Sequence, residues 1–134
     1  MDVDKLFSSI DVSVSALKAE GERIRVITSN IANARTTRTA EGTPYRRKDV
    51  VFSTELDKLE GVVLSQVTED PSPFNKVHDP GHPDADADGF VLYPNVELPR
   101  EMVNLMSANR SYQANLAMMK RYLEMVEATL ELLR

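Results

Sequence analysis

Cysteine and tryptophan are absent from this 134-residue chain, and glycine occurs only 5 times. Without thiols the chain can form neither a disulfide nor a thiolate metal site, so oxidising and reducing compartments are equally permitted. No apolar run reaches the roughly 18 residues that a membrane span requires. Charges at Asp2, Asp4, Lys5 and Asp11 also interrupt the N-terminus, and we therefore expect no cleaved secretory signal.

Positive charge is scarce as well. Asp and Glu total 21 against 16 Lys and Arg, which gives a formal net charge of -5. A chain with this balance lacks the basic surface that nucleic acids bind, and we expect no nucleic-acid partner. The short basic run of Arg46, Arg47 and Lys48 is interpreted as the solvated start of a strand.

A heptad pattern occupies each end of the chain. Residues there recur at alternating spacings of three and four, which is typical of coiled coils. The N-terminal stripe runs through the apolar residues Phe7, Ile10, Val14, Leu17, Ile24 and Ile31, with Gly21 and Thr28 at its two remaining positions. The C-terminal stripe consists of Met102, Leu105, Asn109, Tyr112, Leu116, Met119, Leu123, Val126, Leu130 and Leu133. The pattern predicts long terminal helices paired as a coiled coil, and a plain two-helix core is the simpler alternative.

Three features of these stripes bear on assembly. A C-terminal helix of about 36 residues would reach about 54 Å, longer than a small domain is wide, so we expect neighbouring subunits to complete the seam. Asn109 interrupts the apolar stripe, and a buried polar residue on a seam can fix its register. Gly21 either permits a close helix approach or is a tolerated defect that costs about 1 kcal/mol.

Between the stripes the helical period disappears. All but one of the 7 prolines lie between residues 44 and 94, and segments 50–52, 61–67 and 90–93 are short, apolar and bounded by breakers. The fold class is therefore predicted to be mainly α. Residues 1–36 and 95–134 would form a terminal-helix domain, and residues 37–94 a small β-rich or irregular insert. We place the first helix at residues 4–33 and the start of the last between Asn95 and Pro99.

An acidic segment resembles half of a calcium loop. Asp84, Asp86, Asp88 and Gly89 match the first positions of an EF-hand, but the twelfth position is Asn95 where that loop needs a bidentate glutamate. A solvated acidic turn, or a loop that meets a neighbouring subunit, explains these carboxylates better.

No other motif points to catalysis or to a metal. His78 and His82 are four residues apart, but Pro80 and Gly81 lie between them, so the spacing of helical zinc ligands does not apply. The sequence contains no glycine-rich phosphate loop, nucleophile elbow or catalytic dyad. We therefore expect neither an enzyme nor a bound metal or cofactor.

Three motifs are spread along nearly the whole chain. The N-terminal motif contains Ser29, Asn30, Ile31, Ala32 and Asn33, and the C-terminal one covers residues 101–115. The central motif contains Pro80, His82, Pro83, Asp84, Asp86, Asp88 and Gly89. Together these motifs resemble the axial family of bacterial flagellar rod and hook proteins, and the central one is similar to that of proximal rod proteins in particular.

This resemblance implies a structural subunit of the proximal rod, which assembles helically and transmits motor torque to the hook and filament for motility. The implied partners are further copies of the chain, other rod subunits, an adaptor at the motor ring and the flagellar type III export apparatus. The implied location is the basal body in the periplasmic space, reached without a cleaved signal. Phe52 and Leu56 resemble an export-gate motif, and the alternative is a strand end that packs inward.

Two other functions remain open from the sequence. One is a coiled-coil binding module such as a secretion adaptor, which would need the same heptad stripes. The other is a small calcium-binding protein, which would rest on the acidic segment alone.

Overall fold

The computed structural model describes residues 3–54 and 62–132, with side chains at 10–53 and 66–132. Within these ranges two long helices bracket four short strands. The helices are α1 (Val3–Ala32) and α2 (Leu98–Leu132), and the strands are β1 (Lys48–Thr54), β2 (Val62–Glu69), β3 (Asn75–His78) and β4 (Phe90–Tyr93). The prediction of a mainly helical chain with a small sheet insert is confirmed.

Both helix boundaries lie close to the predicted ones. α1 ends at Ala32, and the side-chain amide of Asn33 then donates to the carbonyl of Ser29 at 2.9 Å. α2 begins at Leu98, with Pro99 in its first turn, where the missing N–H removes no helical hydrogen bond.

The strands form two separate antiparallel pairs. β1 pairs with β2, and the register shifts between Val51 and Phe52, which marks a bulge. β3 pairs with β4. β3 was not predicted, because its four residues are all exposed and carry no alternating apolar pattern. Two-stranded pairs bury too little to be stable alone, so the insert depends on the helices.

The two helices pack against each other antiparallel. The end of α1 meets the start of α2 where the amide of Asn30 donates to Glu101 at 3.1 Å. The buried residues of α2, Glu101 and Ala108, lie one position before the predicted stripe, since Met102 and Asn109 are exposed. The small side chain of Ala108 allows α1 to approach there. Coiled-coil pairing through the predicted stripes stays a prediction.

The described core is small. Tyr45, Val91 and Val96 are buried in and beside the insert, and Ala19, Ile27 and Ala108 are buried on the two helices. Beyond Ala108, every described residue of α2 is half-buried or exposed. In the part of the chain that the structure describes, neither helix is long and apolar enough to cross a membrane.

Candidate assembly surface

In the part of the chain that the structure describes, α2 carries an extended uncovered apolar surface. Its large apolar side chains are exposed by between 36% at Tyr112 and 88% at Leu132. The others are Leu98, Met102, Val103, Met106, Leu116, Met118, Leu123, Met125 and Leu130. Monomeric soluble proteins seldom expose apolar patches of this extent, and such patches mark interaction sites.

The exposed residues of the distal half of α2 lie on two sides of the helix. They form two rows with a spacing of seven, one being Leu116, Leu123 and Leu130 and the other Met118, Met125 and Leu132. Positions two residues apart point about 200° apart on a helix, so the rows face different directions. α1 covers a third side, where Met119 and Val126 are half-buried. A helix that is apolar on several sides is normally surrounded by other elements.

The predicted stripes are only partly covered in the single chain. The half-buried members are Ile10, Val14, Leu17, Ile24, Ile31, Leu105, Met119 and Val126. The exposed members are Met102, Asn109, Tyr112, Leu116, Leu123 and Leu130. The side chain of Phe7 and the whole of Leu133 lie outside the described residues. Because Asn109 is exposed, a role in helix register stays a prediction for an assembly.

An open groove of about 620 Å³ lies between α1 and α2. Its apolar lining is Val14, Leu17, Tyr112 and Met119, and its polar lining is Lys18, Glu22 and Arg25. Gly21 also lines the groove, and a Cβ at that position would meet no atom within 4 Å. Within one chain, therefore, this glycine is not needed for the approach of α2.

A buried polar junction ties the ends of the two helices to the insert. Asn30 is fully buried, and its amide donates to the carbonyl of Lys48 at 2.8 Å and to Glu101 at 3.1 Å. Its carbonyl oxygen accepts from the Tyr45 hydroxyl at 2.9 Å and from the Lys48 N–H at 3.0 Å. All four hydrogen-bonding positions of the Asn30 side chain are thus used, as burial of an amide requires.

An ion pair completes the junction. Glu101 is fully buried, and Arg47 donates to it from Nε at 2.7 Å. Arg47 also contacts Asp49 at 3.1 Å and Asp70 at 3.4 Å. Burial lowers the pKa of Arg47, but hydrogen bonds and charge from Glu101 and Asp49 outweigh it and raise that pKa above its ordinary value. The guanidinium therefore remains charged, with carboxylates around it.

The interpretation of Arg47 as a solvated residue was wrong. Its exposed fraction is 6%, and its charge is neutralised by carboxylates from β1, from the end of β2 and from α2. No local pattern could have identified this pairing, because Arg47 and Glu101 are 54 residues apart in the sequence. The one available signal was Glu101 itself, an acidic residue in the first turn of a helix otherwise lined by apolar residues.

The carboxylates of the acidic segment bind donors from the chain itself. Asp86 accepts from the backbone N–H groups of Asp88 at 3.0 Å and Phe90 at 2.8 Å. The Phe90 hydrogen bond is the largest reason why the pKa of Asp86 is lowered. Asp84 accepts from the Thr37 hydroxyl at 2.8 Å. These bonds give the segment a structural role in shaping the loop before β4.

The two histidines also take part in packing. His82 accepts the backbone N–H of Asp84 at 3.1 Å, and the ring of His78 lies edge-on to Phe90 with centroids 5.0 Å apart. Among the described residues, no group of three or more His, Asp or Glu side chains is placed to hold a metal ion. Of the two residues in the export-gate motif, Phe52 is half-buried in β1, and Leu56 lies outside the described residues.

Comparison with known proteins agrees at both ends of the chain and over its length. Residues 10–38 match the family described as flagella basal body rod protein, and residues 87–132 match the flagellar basal body rod FlgEFG protein C-terminal family. Flagellar basal-body rod protein FlgC of Salmonella typhimurium is 42% identical over 130 residues, covering 95% of this chain and 97% of that protein. FlgC of Agrobacterium fabrum is 40% identical over 136 residues, covering 98% of each. FlgC of Bacillus subtilis is 41% identical over 145 residues, covering 94% of this chain and 97% of that protein. With its helix pair, its uncovered α2 and relatives that match nearly its full length, the chain belongs to the FlgC family of flagellar basal-body rod proteins, which are structural subunits and not enzymes.

Proposed function

We propose that this rod subunit assembles helically with copies of itself and with other rod subunits in the proximal rod, where the assembly transmits torque to the hook and filament. The observation that carries the proposal is the exposed apolar surface of α2, which lies on two sides of the helix. One neighbour can cover only one side, so complete burial needs several. Subunits related by a rotation and translation that does not close form an open helix of this kind.

Torque transmission would depend on stiffness and not on chemistry. Covering the rows of α2 would bury leucine and methionine side chains at about 25 cal/mol for each Å² of apolar surface removed from water. The terminal-helix domain, residues 1–36 and 95–134, would then form the wall of the shaft, with its stripes paired as coiled-coil seams. Residues 37–94 would pack outside that wall. The buried junction at Glu101 supports this division, because it attaches the insert at one end of the helix pair.

Export and placement form the second part of the proposal. The subunit would leave the cytoplasm through the flagellar type III apparatus as an unfolded chain, without a cleaved signal, and would assemble in the periplasmic space. A helix pair with few buried residues suits this route, because it is marginal alone and stabilised by its neighbours. Phe52 and Leu56 would contact the export gate, and an adaptor at the motor ring would receive the first subunits.

Charge placed on the uncovered rows tests this function. Leu116→Asp and Leu123→Asp would each put a carboxylate into the interface, so we expect loss of rod incorporation and at least a tenfold drop in the motile fraction of cells. Fractionation of basal bodies and a soft-agar assay provide the measurements. Val77→Asp, which puts the same charge on an exposed valine of β3, is the matched control. Normal swimming of both leucine variants would refute the proposed use of this surface.

A further inference from the structure

We propose that the groove between α1 and α2 receives the distal segment of α2, residues 123–132, from a second copy of the same chain. This inference rests on the proposed helical assembly and names the contact that would propagate it. It follows from three properties of the molecule, which are the charged residues of the groove, the charged residues of the segment and the relative position of the two along the helix pair.

The groove offers an apolar floor with two basic residues and one acidic residue, Glu22, on its rim. Val14 and Leu17 form part of the floor, and Gly21 leaves room for an incoming side chain. Lys18 and Arg25 stand on the rim seven residues apart, which places them about 10.5 Å apart along α1. Lys18 makes no ion pair with any described residue. Arg25 pairs with Glu22 at 3.3 Å, but its side chain is 78% exposed, and such surface pairs contribute little and exchange readily.

The distal segment of α2 is complementary to that groove. Leu123 and Leu130 are 49% and 62% exposed and stand seven residues apart. Glu124 and Glu131 follow them with the same spacing, and both are exposed. Neither glutamate forms an ion pair with any residue that the structure describes. The segment therefore presents an apolar row flanked by two free carboxylates, at the spacing of the two basic groups on the groove.

The position of the segment explains why the occupant is a second copy. Because Asn30 contacts Glu101 and the helices are antiparallel, Lys18 lies level with about Gln113 of its own chain. Glu131 is about 18 residues farther along α2, which is about 27 Å away, so the chain cannot fill its own groove. A second copy in the same orientation, displaced by about 27 Å, brings Glu131 to Lys18 and Glu124 to Arg25.

This contact joins different surfaces of the two copies. The groove of one subunit takes the segment of the next, and each subunit keeps a free groove and a free segment, so the contact repeats without closing. A two-fold contact of groove with groove would instead place Lys18 and Arg25 of both copies against each other, which like-charge repulsion disfavours.

Site-specific cross-linking in assembled rods tests the contact directly. The natural chain has no cysteine, so the variants Lys18→Cys and Glu131→Cys each carry a single thiol. They are co-expressed in the source bacterium, and purified basal bodies are treated with a short bis-maleimide. Each variant removes one charge pair and leaves the Arg25 pairing with Glu124 intact. We expect the Lys18–Glu131 cross-linked dimer at ten times or more the yield obtained with Arg110→Cys, an exposed position on α2, in place of Glu131→Cys.

The other cross-linking outcomes each overturn the inference. Equal yields for Glu131→Cys and Arg110→Cys would show that the segment does not occupy the groove. A dominant dimer of Lys18→Cys with itself would show a two-fold contact. Cross-linking of Lys18→Cys to a different rod protein, without the dimer, would show that another subunit fills the groove.

Charge exchange separates this inference from the proposed function. The double variant Lys18→Glu with Arg25→Glu, and the double variant Glu124→Lys with Glu131→Lys, should each lower incorporation into basal bodies at least tenfold. Combining all four substitutions in one chain should restore at least half of it. Normal incorporation of both double variants would refute the proposed contact and leave the proposed rod function intact. Absence of the unaltered chain from purified basal bodies would instead refute the proposed rod function itself.

Discussion

At the residue scale, Glu101 is the point where both ends of the chain and the insert meet. Its two carboxylate oxygens accept from Arg47 of β1's N-terminal flank and from Asn30 of α1. A buried ion pair contributes little compared with apolar packing, but removing one partner leaves an uncompensated charge. The junction therefore specifies how the elements are joined more than it adds to stability.

Removing the Glu101 side chain should show how strongly the fold depends on this junction. Glu101→Ala leaves the buried guanidinium of Arg47 without its shortest contact and Asn30 without one acceptor, so we expect a loss of about 3 kcal/mol or more in unfolding free energy. Urea denaturation followed by circular dichroism measures it. Glu97→Ala removes an exposed glutamate four residues earlier and should change stability by no more than about 0.5 kcal/mol. Equal effects of the two variants would contradict the role assigned to the junction.

Asp70 makes stability depend on pH. Hydrogen bonds from the hydroxyl and backbone N–H of Ser72 lower its pKa below the usual 3.8, against an opposing effect of burial and with help from Arg47. Because the unfolded chain then binds the proton more readily, this contribution is present above the unfolded pKa and is lost as the pH falls through the folded one. Unfolding free energy measured from pH 6 down to pH 3 should fall less steeply for Asp70→Asn than for the natural chain. Parallel curves would exclude this linkage.

At the scale of the element, the turn before β4 depends on a glycine for two separate reasons. Gly89 has φ of 79°, in the region that residues with a Cβ avoid, and a Cβ there would lie 3.1 Å from Pro80 and 3.2 Å from His78. Gly42 has the same φ of 79° in another turn, but a Cβ there would meet nothing within 4 Å. The two glycines therefore share the same φ and differ in their surroundings.

This pair allows strain and crowding to be measured separately. Gly42→Ala should cost about 1 kcal/mol for the left-handed conformation alone. Gly89→Ala should cost clearly more, because the added methyl group must also displace the ring of Pro80 or His78. Chemical denaturation of the two variants side by side gives the difference. A smaller loss for Gly89→Ala than for Gly42→Ala would show that the turn relaxes freely.

At the scale of the whole molecule, the protection of backbone amides from hydrogen exchange is expected to be uneven. Buried groups concentrate around the junction, whereas beyond Ala108 the helix α2 has no described residue that is fully buried. Segments with few buried contacts open locally at low free energy, and binding to neighbours raises that free energy. The single chain is therefore expected to be ordered near Glu101 and loosely held toward residue 132.

Amide hydrogen exchange tests this difference. In dilute protein, amides of residues 115–132 should exchange at least ten times faster than those of residues 100–110, and both sets should be protected in purified rods. The comparison within one helix serves as an internal control for solvent conditions. Uniform protection of α2 in the dilute monomer would mean that its exposed rows need no partner, and the shaft interpretation would fail.

The sequence by itself determined which segments form the long helices and where the apolar side chains lie along the chain. Helix lengths, the proline-rich insert and an excess of leucine and methionine in α2 follow from local periodicity, which each segment carries in its own residues. Only the tertiary structure decided which faces meet. It placed Glu101 and Ala108 against α1 one position before the predicted stripe, and it buried Arg47 where a solvated residue was expected. The physical reason is that an ion pair between residues 54 apart depends on where the whole chain brings them, and no local pattern records it.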